Sequence, residues 1–486
     1  MSRIFRPLIF CLTLLAGCAA WNKPLNQPLA HANMSLVEVT PDSIGKGDLY
    51  VGLAFSGGGM RASAFAFGML QELQAQGAVT DTRDGLLDHV RLVSGVSGGS
   101  VTAAQFGLYG PRGMDGYRER YLITNAEKYM ANSALNPLTI VKGLSGGANG
   151  RSTFARYLDE VLYEGATFGE LRGRSRIKTW INATDMANNT PFLFSPETFD
   201  ALCSDLSRMP ISEAVAASAA FPLVFSPVVL ESHQGKCAYK EPDWLTAARY
   251  NPEATSAMKA HARALESYAN PAEVKFVKLL DGGITDNFGT TGLAVERARA
   301  EAPYAPMTPE EAVRMTRMLF LVANAGVETD FSWTQKVPGP GGVGLGMSIA
   351  TASMSAATRS GYDAMRGELK VWQQELVEWR CALSPGEVRR LRGSLDGWAC
   401  ADVKLFVGQA SFEGLPAPMR DQLNKVPTRL KLETAQVDLV IEAGRLATRA
   451  TPEFNGFMAS LAGNDVEARI ADGIKAGGRR ITPVGN

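Results

Sequence analysis

The sequence predicts an α/β fold with a largely parallel central sheet. Two observations predict it: a series of short apolar runs with the length of buried strands, and an interleaved helical stretch that is apolar on nearly every face. Of the 486 residues, 45% are hydrophobic and 20% charged, which allows a large core and excludes a disordered chain. Basic and acidic residues both number 49, so no broad basic surface exists to attract nucleic acid, and nucleic acid is not an expected partner.

At the amino terminus, Arg3 and Arg6 precede the apolar run Leu8 to Leu15, which is too short to span a bilayer and reads as a secretory signal over residues 1–17. The run ends in Leu15-Ala16-Gly17-Cys18, which resembles the lipobox of bacterial lipoproteins. That resemblance implies cleavage before Cys18, lipidation of Cys18 and a membrane anchor, and Ala19 in place of an aspartate favours the outer membrane, facing the periplasm. Residues 18–46 are expected to be a polar, flexible tether.

The main domain is expected over residues 47–330. Its strands are predicted at Leu49 to Phe55, Val90 to Val93, Ile177 to Ala183, Val274 to Leu280 and Met318 to Ala323. Between the first two lies Arg61 to Gln76, with Ala62, Ala64, Phe65, Phe67, Met69, Leu70 and Leu73, the pattern of a helix packed inside an α/β layer. The Gly/Pro-rich stretch Gly339 to Gly346 reads as a loop at an insertion boundary. Residues 331–486 form a C-terminal extension, expected to be helical and packed on the main domain. Its last helix carries Val437, Val440, Ile441 and Gly444, with Thr434 as N-cap.

With Cys11 in the signal and Cys18 lipidated, Cys203, Cys237, Cys381 and Cys400 remain, an even number in a compartment that permits disulfides. The shortest loops pair Cys203 with Cys237 and Cys381 with Cys400, among three connectivities. These cysteines form no CxxC and the chain has only four histidines, so no metal is expected.

Three motifs carry chemistry. In Phe55-Ser56-Gly57-Gly58-Gly59-Met60-Arg61, between a strand and a helix, consecutive glycines let backbone N–H groups converge on an anion, helped by the helix N-terminus and Arg61. Ala62 stands where a dinucleotide loop would place its third glycine. Gly95-Val96-Ser97-Gly98-Gly99, after Val90 to Val93 and before the helical stretch Ser100 to Tyr109, has the strand-turn-helix setting of a nucleophile elbow. In Lys278-Leu279-Leu280-Asp281-Gly282-Gly283, an aspartate ends a strand, followed by glycines that allow close approach. The usual histidine base is missing: His31 lies in the tether, His89 precedes the elbow strand, His233 is near Cys237, and no histidine follows His261.

Gly-Gly-Gly-Met-Arg, then G-x-S-x-G, then D-G-G, in that order and without a histidine, resembles the patatin-like phospholipase family. The similarity runs from about Asp48 to Ala325 and includes Ile181-Asn182-Ala183-Thr184-Asp185, Phe192-Leu193-Phe194 and Ala217-Ser218-Ala219-Ala220-Phe221-Pro222. Val426-Pro427-Thr428 and the Val437 helix resemble the tails of some bacterial members more loosely. Ala62 departs from the glycine of plant patatins and is closer to the related cytosolic phospholipases. The resemblance implies a three-layer α/β/α patatin-like sandwich and a Ser-Asp dyad, with Ser97 as nucleophile and Asp281 as its partner. Gly57, Gly58, Gly59 and Met60 would form the oxyanion hole, and Arg61 would either bind a substrate phosphate or support the loop. No cofactor is implied. The expected function is a lipid acyl-ester hydrolase of phospholipase or lysophospholipase type acting on membrane lipids. A lipid-binding or lipid-carrying lipoprotein without catalysis, and a lipid acyltransferase, are the alternatives.

Overall fold

A computed structural model of the chain describes residues 22–29, 49–77, 82–130, 147–328, 332–335, 337–339, 341 and 343–462. The signal, Cys18 and most of the tether lie outside the described residues, as does His31.

The chain enters the sheet at β1, Leu49–Phe55, the span expected from its apolar run. Val51, Leu53 and Phe55 belong to one buried cluster and Ala54 to another, the alternation of a strand covered on both faces. Then come α1 (Gly59–Gln74), β2 (Val90–Val96), α2 (Gly98–Tyr109), β3 (Lys178–Asp185) and β4 (Thr190–Leu193). They are followed by α3 (Ile211–Ser218), β5 (Val228–Glu231), β6 (Phe276–Asp281) and β7 (Arg317–Asn324). The last third adds α4 (Val343–Ala382), β8 (Lys404–Ser411) and α5 (Thr434–Ala450).

The sheet order is β5-β6-β3-β2-β1-β7-β8, with β4 also on β3. The run β3-β2-β1-β7-β8 is parallel, whereas β6 and β4 lie antiparallel to β3, and β5 antiparallel to β6. One face is covered by α1, α2 and α5, whose Phe65, Phe106 and Val440 share a core with Val51 and Leu53. The other is covered by α4, whose Met365, Leu369, Trp372 and Leu376 pack with Ala54, Leu92 and Phe320. The result is a three-layer α/β/α sandwich of the expected class.

The extension is part of this sandwich. β8 pairs with β7 in register from Arg317↔Lys404 to Asn324↔Ser411, so the sheet crosses the boundary expected near residue 330. α5 lies on α1 through Val437, Val440, Ile441, Ala443 and Gly444. The helices approach so closely that a Cβ on Gly444 would collide with the Phe65 carbonyl, and one on Gly68 with that of Ile441. Glu72, buried in α1, accepts both arms of the Arg449 guanidinium at 3.1 and 2.7 Å.

Three expectations are corrected. The loop at Gly339 to Gly346 ends early, because α4 begins at Val343 and takes in Gly344 and Gly346, the latter facing Leu223, despite the low helix propensity of glycine. The N-cap of α5 is Glu433 and not Thr434, with a reciprocal bond between Glu433 and Gln436. Residues 22–29, read as tether, are docked. Asn26 is buried and brackets the edge strand β5, accepting the Glu231 N–H at 2.8 Å and donating to the Glu231 carbonyl at 2.7 Å. Asn22 donates to Pro227 at 2.7 Å. Side-chain amides thus do for an open strand edge what a neighbouring strand would do, which explains how a polar segment can be well placed.

Cys203 pairs with Cys237 and Cys381 with Cys400, the shortest-loop pairing. No described helix is long and apolar enough to cross a membrane.

Candidate active site

β2 ends at Val96, and α2 starts at Gly98, leaving Ser97 alone to turn the chain. Its backbone sits at φ 52° and ψ −124°, a region that costs an L-residue on the order of 1–3 kcal/mol. The turn is held from several sides. The Ser97 N–H donates to Ser218 Oγ at 2.8 Å, and that hydroxyl donates to the Asn182 carbonyl at 2.6 Å. The Ser97 carbonyl accepts from the Ser100 N–H at 3.0 Å. Glycine is required next, since a Cβ on Gly98 would collide with the Gly59 carbonyl. The elbow therefore presses directly on the glycine-rich loop.

Strand register brings the aspartate to the serine. Val96 pairs with Asn182 on β3, and the next β3 residue, Ala183, pairs with Asp281 at the end of β6. The residue after Val96 therefore faces Asp281 across one intervening strand. The Ser97 side chain stands close enough to the Asp281 carboxyl to favour its charged form, and Asp281 Oδ1 accepts the Gly283 N–H at 2.9 Å. Ser97 is 6% and Asp281 1% exposed. Burial pushes the Asp281 carboxyl up from 3.8 to about 6, against the opposing pull of the Gly283 N–H and of Ser97. A carboxylate poised there is ionised at neutral pH, yet is a far better proton acceptor than an exposed aspartate.

The glycine-rich loop is less open than expected. The Gly57 N–H donates to Asn287 Oδ1 at 3.1 Å and the Met60 N–H to the Arg429 carbonyl at 2.7 Å. Two of the four expected oxyanion donors are thus already engaged, and Gly57 and Met60 are removed from the hole. The amides of Gly58 (φ 141°) and Gly59 (φ 61°) donate to no other group among the described residues. They remain, at the N-terminus of α1, as anion-binding donors.

Arg61 is a brace. Only 4% exposed, it donates from Nε to the Ala325 carbonyl at 2.9 Å and from Nη1 to the Val426 carbonyl at 2.6 Å. Burial lowers its pKa to about 10, so it stays charged at neutral pH. It ties the start of α1 to the end of β7 and to the extension, contacts that fit loop support, one of its two expected roles. The described histidines pack elsewhere: His233 Nε2 lies 3.1 Å from the Asn26 carbonyl, and burial lowers His261 to about 4 and also lowers His89.

Several residues that complete the site carry no distinct signal in the sequence. Asn287, close after D-G-G, fixes Gly57 through Oδ1 and donates from Nδ2 to Thr358 Oγ1 on α4 at 2.9 Å. Asp286 caps the next turn by accepting the N–H groups of Gly289 and Thr291 at 2.9 and 2.7 Å. Met354 of α4 lies against the loops that carry Ser97 and Asp281 to each other, its Cε 2.6 and 3.6 Å from where a Cβ on Gly283 and on Gly57 would be. Among the described residues, no cluster of His, Cys, Asp or Glu could hold a metal.

A family model described as patatin-like phospholipase matches residues 53–294. No curated protein matches the chain. Among solved structures, the human GIVD cytosolic phospholipase A2 is similar at 13% identity over 85% of this chain and 60% of its own, with a TM-score of 0.39. The same human enzyme with methyl gamma-linolenyl fluorophosphonate gives 15%, 88%, 61% and 0.35. VipD from Legionella pneumophila gives 12%, 91%, 73% and 0.29. The chain thus spans about three fifths of the human protein's length.

Proposed function

Taking as premise that this chain belongs to the patatin-like phospholipase family through residues 53–294, we propose that it is a lipid acyl-ester hydrolase using a Ser97-Asp281 dyad. The observation that carries the proposal is the buried juxtaposition of Ser97 and Asp281 across β3, with the aspartate raised to about 6 beside the unengaged Gly58 and Gly59 amides.

In this reading Ser97 Oγ attacks the ester carbonyl carbon as its proton passes to Asp281, and the Gly58 and Gly59 N–H groups hold the oxyanion. Collapse of the tetrahedral adduct breaks the ester C–O bond, the departing alcohol takes the proton from Asp281, and the acyl group stays on Ser97. Water then attacks the acyl-enzyme and gives a proton to Asp281. The second collapse releases the fatty acid and returns that proton to Ser97. Burial of both residues shields the dyad from water, which strengthens the interaction on which a weak carboxylate base depends.

The proposed substrates are membrane phospholipids or lysophospholipids, met by a chain anchored through lipidated Cys18 in a bacterial envelope. The lipobox-like Leu15 to Cys18 and the two disulfides support that placement. The test is a serine-reactive fluorophosphonate probe on wild type and Ser97→Ala, followed by phospholipid and lysophospholipid hydrolysis. Wild type should be labelled and active, and Ser97→Ala neither. Equal labelling of the two sinks the dyad.

A further inference from the structure

The helix α4 changes character along its length. From Arg359 onward it is interspersed with charge and packs on the sheet through Met365, Leu369, Trp372 and Leu376. Before Arg359 there is no charged residue back to Lys336. In this charge-free part, Gly346, Ala350, Met354 and Thr358 recur every fourth residue and face inward: Gly346 to Leu223, Met354 to Gly57 and Gly283, Thr358 to Asn287. The outward face is apolar. Leu345 and Ile349 are exposed, Ile349 at 61%, and Ala352 and Ala356 continue the row. Large apolar side chains grouped on an exposed helical face mark an interaction surface.

We propose that the outer face of residues 345–358 docks onto an uncharged lipid surface, placing the cover of the dyad in the interface where the substrate lies. The proposal rests on the hydrolase reading and adds how the site meets its substrate. Two observations select lipid as the occupant. A soluble polar ligand or an acidic or basic protein face would find no charge to pair with between Lys336 and Arg359, whereas insertion into acyl chains is favoured by that absence. The face is also continuous with the site: the same turns that expose Leu345 and Ile349 lay Met354 over the Asp281 loop. They also hold Asn287, and through it Gly57, by way of Thr358. A shift of these turns on docking would lift Met354 from the dyad and act on the oxyanion loop through one side chain.

The test uses full-length protein carrying Cys11→Ser and Cys18→Ser, with an environment-sensitive dye on Ile349→Cys. The control is the same dye on Val371→Cys, on the charged part of the same helix and comparably exposed at 54%. On adding phosphatidylcholine vesicles, the dye at residue 349 should shift to the blue and the dye at 371 should not. No shift at 349, or equal shifts at both, overturns the proposal. A blue-shifted dye at 349 before vesicles are added, together with a dimer on sizing, assigns the face to a second copy of the chain and also overturns it. Repeating the measurement with Ser97→Ala separates docking from catalysis. A shift without hydrolysis in the parent protein refutes the hydrolase reading alone, and hydrolysis without a shift refutes docking alone. As a second readout, Leu345→Asp with Ile349→Asp should lower the ratio of vesicle turnover to monomeric-ester turnover at least tenfold. An unchanged ratio in folded protein counts against docking.

Discussion

Replacing Asp281 with asparagine should make the protein inactive and more stable at the same time, because the buried charge that would serve catalysis is a burden on the fold. In the native state burial raises the Asp281 carboxyl from 3.8 to about 6. A raised pKa means that the native state binds the proton more tightly than the unfolded chain, so the contribution to stability is present at low pH and lost as pH rises through about 6. The difference between 3.8 and about 6 corresponds to roughly 3 kcal/mol of destabilisation at pH 7, at about 1.4 kcal/mol per unit. Asp281→Asn removes the charge and keeps an oxygen able to accept the Gly283 N–H. Its melting temperature should therefore exceed that of wild type at pH 7, and the gap should close towards pH 4, where wild type is protonated too. Ester hydrolysis should fall by about 10²–10⁴-fold through loss of the general base. Thermal unfolding at both pH values and initial rates on one short-chain ester measure both effects. Melting below wild type at pH 7 would refute the desolvation argument. Retained activity would refute the dyad and direct attention back to a histidine.

Arg61→Ala removes two charge-assisted bonds, each contributing about 1.5–3 kcal/mol, and leaves the Ala325 and Val426 carbonyls unpaired. Phospholipid and neutral-ester turnover should fall in the same proportion, and a loss confined to phospholipid would restore a phosphate-binding role. Gly444→Val should destabilise by at least 1–3 kcal/mol, as is usual for overpacking, because a Cβ already meets the Phe65 carbonyl; a melting temperature equal to wild type contradicts the close crossing of α1 and α5. On the proposed Cys18 anchor, wild type should stay with carbonate-washed membranes and Cys18→Ser should be a precursor or a form released by the wash; fractionation of the variant with washed membranes would discount the anchor.

Local pattern and order determined much of this protein before any contact was known. The run Leu49 to Phe55 is a strand over those residues, because a buried parallel strand needs little more than a short apolar stretch between breakers. Ser97 in its G-x-S-x-G and Asp281 in its D-G-G were legible because each motif states its own backbone requirement: small residues around a strained turn, and glycines beside a carboxylate. Tertiary structure alone decided what those groups touch. Whether a loop amide is free depends on acceptors far away in the chain, so the loss of Gly57 to Asn287 and of Met60 to Arg429 could not be read from the glycine loop. The same holds for Arg61, whose carbonyl partners belong to Ala325 and Val426. β8 has no distinct signal in the sequence, because the half-buried run Lys404 to Ser411 becomes a strand by extending β7 and not by its own hydrophobicity. For residues 22–29 the converse holds: their polarity, a mark of a loose tether in isolation, is what lets Asn26 satisfy the edge of β5. Covalent sequence specifies donors, acceptors and apolar faces, and only the fold determines which of them meet.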